Sequence, residues 1–185
     1  MRIDSAPEPG YPGISLRQLD RADLHDWYAY LRVPAVTRHT SWDLRSAQDL
    51  TPIFDAIEST DPQSVRRLAI VDARSGKLAG TIGFHTISLR NQSAEIAYDV
   101  APEYWGKGIA TAACNAVTEW AFAEYGWVRV QGTVLTTHPN SARVLRKCGF
   151  CHEGVLRSYR IVRGRPRDFD IYARLADERG AAAAP

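Results

Sequence analysis

Cysteine is scarce in this chain of 185 residues: Cys114, Cys148 and Cys151 are the three present. An odd count, with no apolar leader in the opening MRIDSAPEPGYPG, argues against a disulfide framework and for a reducing, cytoplasmic setting. Cys148 and Cys151 have C-x-x-C spacing, but a tetrahedral metal site needs a second ligand pair, and a redox motif should open a helix where Gly149 follows one. The pair is read as ordinary packing, without metal. Long apolar runs are also missing; nothing approaches the roughly 20 residues that span a bilayer. Nor is there a surplus of one charge. The 23 Lys and Arg stand against 21 Asp and Glu, a formal net charge of +2, so neither nucleic acid nor membrane is implied as a partner.

What is present suits one folded domain. Hydrophobic residues make up 45% of the chain, enough for a single sizeable core. Residues 1–12, rich in Pro and Gly, read as a loose arm, residues 13–176 as the domain, and residues 177–185 as a tail. Residues 14–19 alternate apolar and polar as a half-buried strand does. Asp20 caps a helix carrying Leu24, Trp27, Tyr28 and Leu31, which Pro34 helps to end. A second helix covers residues 46–59 despite Pro52. Strands follow at 67–72, 78–89 and 94–100, with a hairpin turn at Gly76. The strongest helix spans 106–125, with Ile109, Ala113, Val117, Trp120 and Ala121 on one stripe and Gly126 as its stop. A strand at 128–133, a short helix at 140–147 and two strands near 152–161 and 167–175 complete the order β-α-α-β-β-β-α-β-α-β-β. That order predicts an α/β fold, one mixed, mostly antiparallel sheet covered by helices.

The most informative stretch is AEIAYDVAPEYWGKGIATAA, residues 94–113. A strand runs into a short turn, and Gly106-Lys107-Gly108 opens a long helix. Glycine lets backbone approach a ligand, and the first helical N–H groups lack intrahelical partners at the positive end of the dipole. Together they form an anion site. The spacing fits neither a P-loop, which needs G-x-x-x-x-G-K-S/T, nor a dinucleotide fingerprint, whose third glycine is here Thr111 and whose strand ends five residues too early.

These residues resemble the GNAT superfamily of N-acetyltransferases. Its phosphate loop, Gln/Arg-x-x-Gly-x-Gly/Ala, falls on Trp105, Gly108 and Ala110, with Trp105 departing from the usual Gln or Arg. YWGKGIATAA is similar to the ribosomal-protein acetyltransferase branch of RimJ/RimL type. So is NSARVLRKCGF followed by EGVLR, which carries Ser141, Arg143, Val144, Leu145, Lys147, Gly149, Phe150, Glu153 and Gly154 at that branch's positions. The resemblance covers roughly residues 13–175 and implies acetyl-CoA as cosubstrate. It implies that the loop of Trp105, Gly106, Lys107, Gly108, Ile109, Ala110 and Thr111 holds the CoA pyrophosphate. It further implies that Asp99 and Val100 offer backbone groups to pantetheine, with the Asp99 N–H as an oxyanion donor.

An alkylammonium titrates at about 10, so a proton must leave before the amine attacks. Glu95 matches the position of a catalytic glutamate in several family members, and period two puts Glu95, Ala97 and Asp99 on one face. Glu103 is the reserve base. Many members protonate the leaving thiolate with a Tyr in the short helix; here that position is Leu145, and Ser141 takes the role by analogy with the branch. The branch's pantetheine-contacting Asn falls on His138, with Asn140 displaced. Variable loops should shape the acceptor groove, through Trp42, Arg157 and Tyr159, with Arg160 another residue able to attract a carboxylate. The acceptor is a peptide or protein amine or, alternatively, a small amine such as an antibiotic, polyamine or amino acid. A CoA-binding regulator without turnover is the reading from another class. Monomer and homodimer both remain open.

Overall fold

The computed structural model describes residues 2–178. Seven strands, β1 (Ile14–Gln18), β2 (Arg66–Asp72), β3 (Leu78–Ser88), β4 (Ser93–Val100), β5 (Arg129–Leu135), β6 (Cys151–Val162) and β7 (Arg165–Leu175), form one sheet in the order β1-β2-β3-β4-β5-β7-β6. Every neighbouring pair is antiparallel except β4 and β5. The helices are α1 (Leu24–Leu31), α2 (Pro34–Thr37), α3 (Thr51–Glu58), α4 (Ile109–Tyr125) and α5 (Pro139–Lys147).

Both sheet faces are covered. On one, Ile96, Val100 and Val134 pack with Ile109, Ala113 and Val117 of α4 and Leu145 of α5. On the other, Ala69 and Val71 pack with Trp27 and Leu31 of α1 and Phe54 and Ile57 of α3. Alternation along β2 sends Leu68 and Ile70 to the first layer and their neighbours to the second, the period-two rule for a strand buried on both sides.

Four local expectations are revised. The helix predicted over 46–59 is a 3-10 turn, Ala47–Leu50, running into α3. Pro52 sits in the first turn of α3, where its missing N–H costs no hydrogen bond. Pro34 does more than end α1: it starts the short helix α2. The long helix begins at Ile109, because Gly106 and Gly108 take left-handed φ values of 73° and 83°, outside helical geometry. The N-terminal stretch expected to be loose is docked: Ile3 is buried in the first layer and its N–H donates to Gln18 Oε1 at 2.7 Å. Of the expected tail, Ala176–Glu178 form a 3-10 turn; positions 179–185 lie outside the described residues.

The feature that positions the site is the junction of β4 and β5. They pair only from Ser93 to Glu95 on one side and Arg129 to Gln131 on the other, although β4 continues to Val100 and β5 to Leu135. A Cβ added at Gly132 would lie 3.2 Å from Leu145 Cδ1 and 3.5 Å from Ile96 Cγ2. Glycine there lets the α5 side chain press between the two strands as they part.

Candidate active site

Backbone direction decides what lines the gap between β4 and β5. The Ala101 N–H donates to Ala79 O at 2.8 Å. By the period of two, the backbone groups of Glu95, Ala97 and Asp99 also face β3, and those of Ile96, Tyr98 and Val100 face β5. Past Glu95 the β5 partner is gone. The gap is therefore lined by the N–H groups of Tyr98 and Val100, while the Asp99 N–H, expected there from the sequence, points into the β3 ladder. Val100 stays at the gap, and its carbonyl accepts the Trp105 indole N–H at 2.6 Å. Trp105, at the position where the family uses Gln or Arg, thus ties the strand end to the loop that follows.

That loop and the start of α4 fit a phosphate. Nothing lies within 4 Å of a Cβ built at Gly106, and the nearest atom to one at Gly108 is a Tyr11 ring carbon at 3.9 Å. The first α4 bond is Ala112 N–H to Gly108 O at 3.0 Å, so the N–H groups of Ile109, Ala110 and Thr111 have no helical acceptor. Lys107 is exposed, its ammonium 5.4 Å from the Tyr104 ring centre, and its carbonyl accepts the Tyr11 hydroxyl at 2.7 Å. Sequence reasoning missed Tyr11, because it read residues 1–12 as an arm.

The two carboxylates of β4 share one face but not one environment. Asp99 accepts from Arg67 Nη2 at 2.6 Å, Thr81 Oγ1 at 3.0 Å and Trp27 Nε1 at 3.1 Å, and from the Tyr30 hydroxyl. Burial and the Asp99 charge hold the Tyr30 phenol well above its usual 10, so it stays a donor. Glu95, 2% exposed, uses a single oxygen. Its Oε1 accepts from Thr133 of β5 and from Arg160 Nη2 of β6 at 2.8 Å, with His85 Nε2 of β3 at 3.9 Å. Its Oε2 has no hydrogen-bond partner among the described residues. Arg160, expected to attract an acceptor carboxylate, instead supplies Glu95 with its countercharge. Burial lowers the pKa of His85, which favours a neutral imidazole beside this pair.

Across the gap, α5 presents Ser141. Its Oγ lies 3.0 Å from the Tyr98 hydroxyl, which also reaches Ser141 O at 3.1 Å. Burial pushes the Tyr98 phenol well above its usual 10. Tyr98 was absent from the sequence reading; the even phase of β4 that turns it toward α5 was the available signal. Ser141 is not the helix cap. His138 caps α5, its Nδ1 accepting the Ser141 N–H at 3.1 Å, and burial and the nearby His39 hold it below its usual pKa of 6.5. Asn140 is exposed beside it.

The remaining candidates scatter. Trp42 packs edge-on to Trp27, ring centres 5.9 Å apart, so it walls the Asp99 side of the face. Arg157 and Tyr159 are exposed on β6, around a shallow surface shared with Val155 and Asp168. Glu103 is exposed on the 3-10 turn Pro102–Tyr104 that leads into the glycine loop. Cys148 is buried, its thiol 3.3 Å from Thr111 O, whereas Cys151 is exposed. Among the described residues no group of three or more His, Cys, Asp or Glu side chains is placed to hold a metal.

A sheet that opens beside a glycine loop at a helix start, with a buried carboxylate at the fork, defines a class, and comparison with known proteins agrees. The acetyltransferase (GNAT) domain model matches residues 14–151, and the chain belongs to that family of N-acetyltransferases. It is 32% identical to the uncharacterized N-acetyltransferase YoaA of Bacillus subtilis over 164 residues, 86% of this chain and 92% of that one. It is 37% identical to the putative ribosomal N-acetyltransferase YdaF of the same organism over 103 residues, 56% of each chain. The fold matches spermidine N-acetyltransferase from Vibrio cholerae in complex with CoA and spermine, with a TM-score of 0.79 at 24% identity, over 90% of this chain and 98% of that one. Among the described residues no helix is long and apolar enough to cross a membrane.

Proposed function

We propose that this N-acetyltransferase acetylates a primary amine with Glu95 as general base and the loop at residues 105–111 as the seat of the acetyl-CoA pyrophosphate. The observation that carries the reading is the unpartnered Oε2 of a buried glutamate at the point where β4 leaves β5. A desolvated carboxylate oxygen without a donor is costly to keep, and a proton passed to it from an acceptor ammonium, directly or through one water, would satisfy it.

When bound, acetyl-CoA supplies the acetyl group as a thioester. Glu95 Oε2 accepts the proton that an acceptor ammonium must lose, and the Arg160 and Thr133 contacts at Oε1 fix the carboxylate. The Tyr98 and Val100 N–H groups line the gap where a thioester carbonyl would be polarised. The Ser141 hydroxyl, held by Tyr98, faces the gap from α5 and can return a proton to the departing thiolate. The free N–H groups of Ile109, Ala110 and Thr111 receive the pyrophosphate, Trp105 holds the loop to β4, and His138 and Asn140 stand where the branch contacts pantetheine. The likeness to YdaF and the S-x-R-V-L-x-K-x-G-F pattern support a protein or peptide amine as acceptor within a ribosomal-protein-acetyltransferase-like branch. Three free thiols support a cytoplasmic setting.

Free-CoA release measured across peptides and small amines tests the reaction. Glu95→Gln keeps the side-chain shape and removes its basicity, so kcat should fall about 10- to 1000-fold with acetyl-CoA affinity nearly intact. The loss should shrink at high pH, where more acceptor is already neutral. Wild-type pH–rate behaviour in that variant would place the base elsewhere, with Glu103 next in line. Unchanged CoA affinity in Gly108→Glu, measured by calorimetry, would remove the loop assignment.

A further inference from the structure

Two residues along β5 from Thr133 and two along β6 from Arg160, the two donors to Glu95, Leu135 and Val162 enter the lining of a groove of about 600 Å³ that also includes Arg38, His39, Arg163, Arg165, Arg167 and Asp168. Its arginines come from two distant chain segments, the loop after α2 and the β6–β7 hairpin tip. Arg163 clamps the two together, donating to Thr37 O at 2.5 Å and Arg38 O at 3.2 Å. The guanidinium groups of Arg38, Arg165 and Arg167 are exposed and have no carboxylate partner among the described residues. The one acid of the lining, Asp168, turns an oxygen to the Ser158 N–H at 2.7 Å.

This basic run begins at the fork. Arg167 lies opposite Arg160 in the β6–β7 register, and Arg160 holds Glu95. Leu135, Thr136 and Thr137 of the same lining follow Thr133, the other Glu95 donor, along β5. A molecule whose amine passes its proton to Glu95 can therefore extend along guanidinium groups. At about 3.3 Å per residue, the three positions from Arg160 to Arg163 span roughly 10 Å. A free amino acid, with its carboxylate one carbon from its amine, is too short for that run. An extended peptide with acidic side chains two to four residues after its N-terminus matches it. A polyamine would bring further positive charge into a concave positive site, where like charges repel.

We infer that the acceptor is the α-amine of an acidic peptide or protein N-terminus, its carboxylates read by Arg38, Arg165 and Arg167. The inference rests on the Glu95 reading of the acceptor position. Its test is a set of peptides with one shared N-terminal residue and Asp/Glu, Ala or Lys at positions two to four, alongside free aspartate and spermidine. Both free-CoA release and anisotropy of a labelled acidic peptide are measured. The acidic peptide should have kcat/KM about tenfold or more above the alanine peptide, with the lysine peptide and spermidine lowest, and added salt should narrow the ratio. In Arg165→Glu/Arg167→Glu, with the thermal midpoint as folding control, the order of acidic and lysine peptides should invert.

Equal use of acidic and neutral peptides, or a preference for free aspartate or spermidine, would overturn the inference and leave the transferase reading standing. Acidic-peptide binding that the double variant loses, without CoA release from any acceptor, would keep the groove as a peptide-binding surface and sink the acceptor reading on which the inference rests.

Discussion

Glu95 and Asp99 stand four residues apart on one face of β4, and only 2% and 8% of their surface is exposed. Around Asp99 the fold is complete. Four side-chain donors from α1, β2 and β3 share its two oxygens, and the Arg67 guanidinium stacks 5.0 Å from the Trp27 ring centre. Around Glu95 the fold stops short, with both donors on one oxygen and the other bare. The contrast separates a carboxylate that holds the molecule together from one kept for something that arrives. Burial alone does not distinguish them; the count of satisfied lone pairs does.

The sharpest way to break this contrast is to neutralise each acid in turn. Asp99→Asn leaves the buried Arg67 without its countercharge and should cost about 3–5 kcal/mol of unfolding free energy, read by denaturant titration. Glu95→Gln, whose Arg160 partner is 31% exposed, should cost about 1 kcal/mol or less, since losing the ion pair also relieves the burial of a carboxylate oxygen without a donor, while carrying the loss of kcat described above. Equal destabilisation by the two variants would erase the distinction.

A smaller effect is expected one strand phase away. Tyr98→Phe removes the hydroxyl that holds Ser141 and leaves the ring in place. It should lower kcat about 3- to 30-fold, less than Glu95→Gln, as befits a group that positions another. If Tyr98 acts only through Ser141, Ser141→Ala should cost at least as much and the double variant should add nothing beyond it.

The smallest effect concerns pH. His138 and His85 both have pKa values lowered from 6.5, chiefly by burial. Below 6.5 the unfolded chain binds their protons more readily than the folded one, so this contribution is whole above pH 6.5 and is lost as pH falls toward the lowered values. The thermal midpoint should drop between pH 7 and pH 5, and His138→Asn, which can still cap α5, should flatten that slope. An unchanged slope would assign the titration to His85 or another group.

The sequence made much of this legible. Alternation and helix stops located every strand and the long helix α4, because those patterns are local. The glycine loop was found from composition and spacing, and Glu95 from resemblance and strand phase. What escaped depends on pairing. Asp99 was expected to offer its N–H to the gap, but which neighbour a strand residue's backbone faces is set by register with β3. Arg160 was assigned to the acceptor because nothing local brings residue 160 to residue 95. Tyr11 went unnoticed since its partner is 96 positions away. The family's Tyr is replaced in α5 by Leu145, as the sequence shows, but that a phenol on β4, Tyr98, meets Ser141 instead depends on a contact 43 positions apart.

The parting of β4 from β5 also has a mechanical side. Only three residue pairs join β1–β4 to β5–β7 through the sheet, so the backbone ladder that would make seven strands one cooperative unit is thin at its middle. Stability there comes from α4 and α5 packed across the seam. A ligand threaded through the gap would act as a missing strand, hydrogen-bonding to both halves at once. Occupancy and rigidity are then the same event: amides at residues 98 and 100 should exchange with solvent as two half-sheets flex against each other, and slow together when the seam is filled.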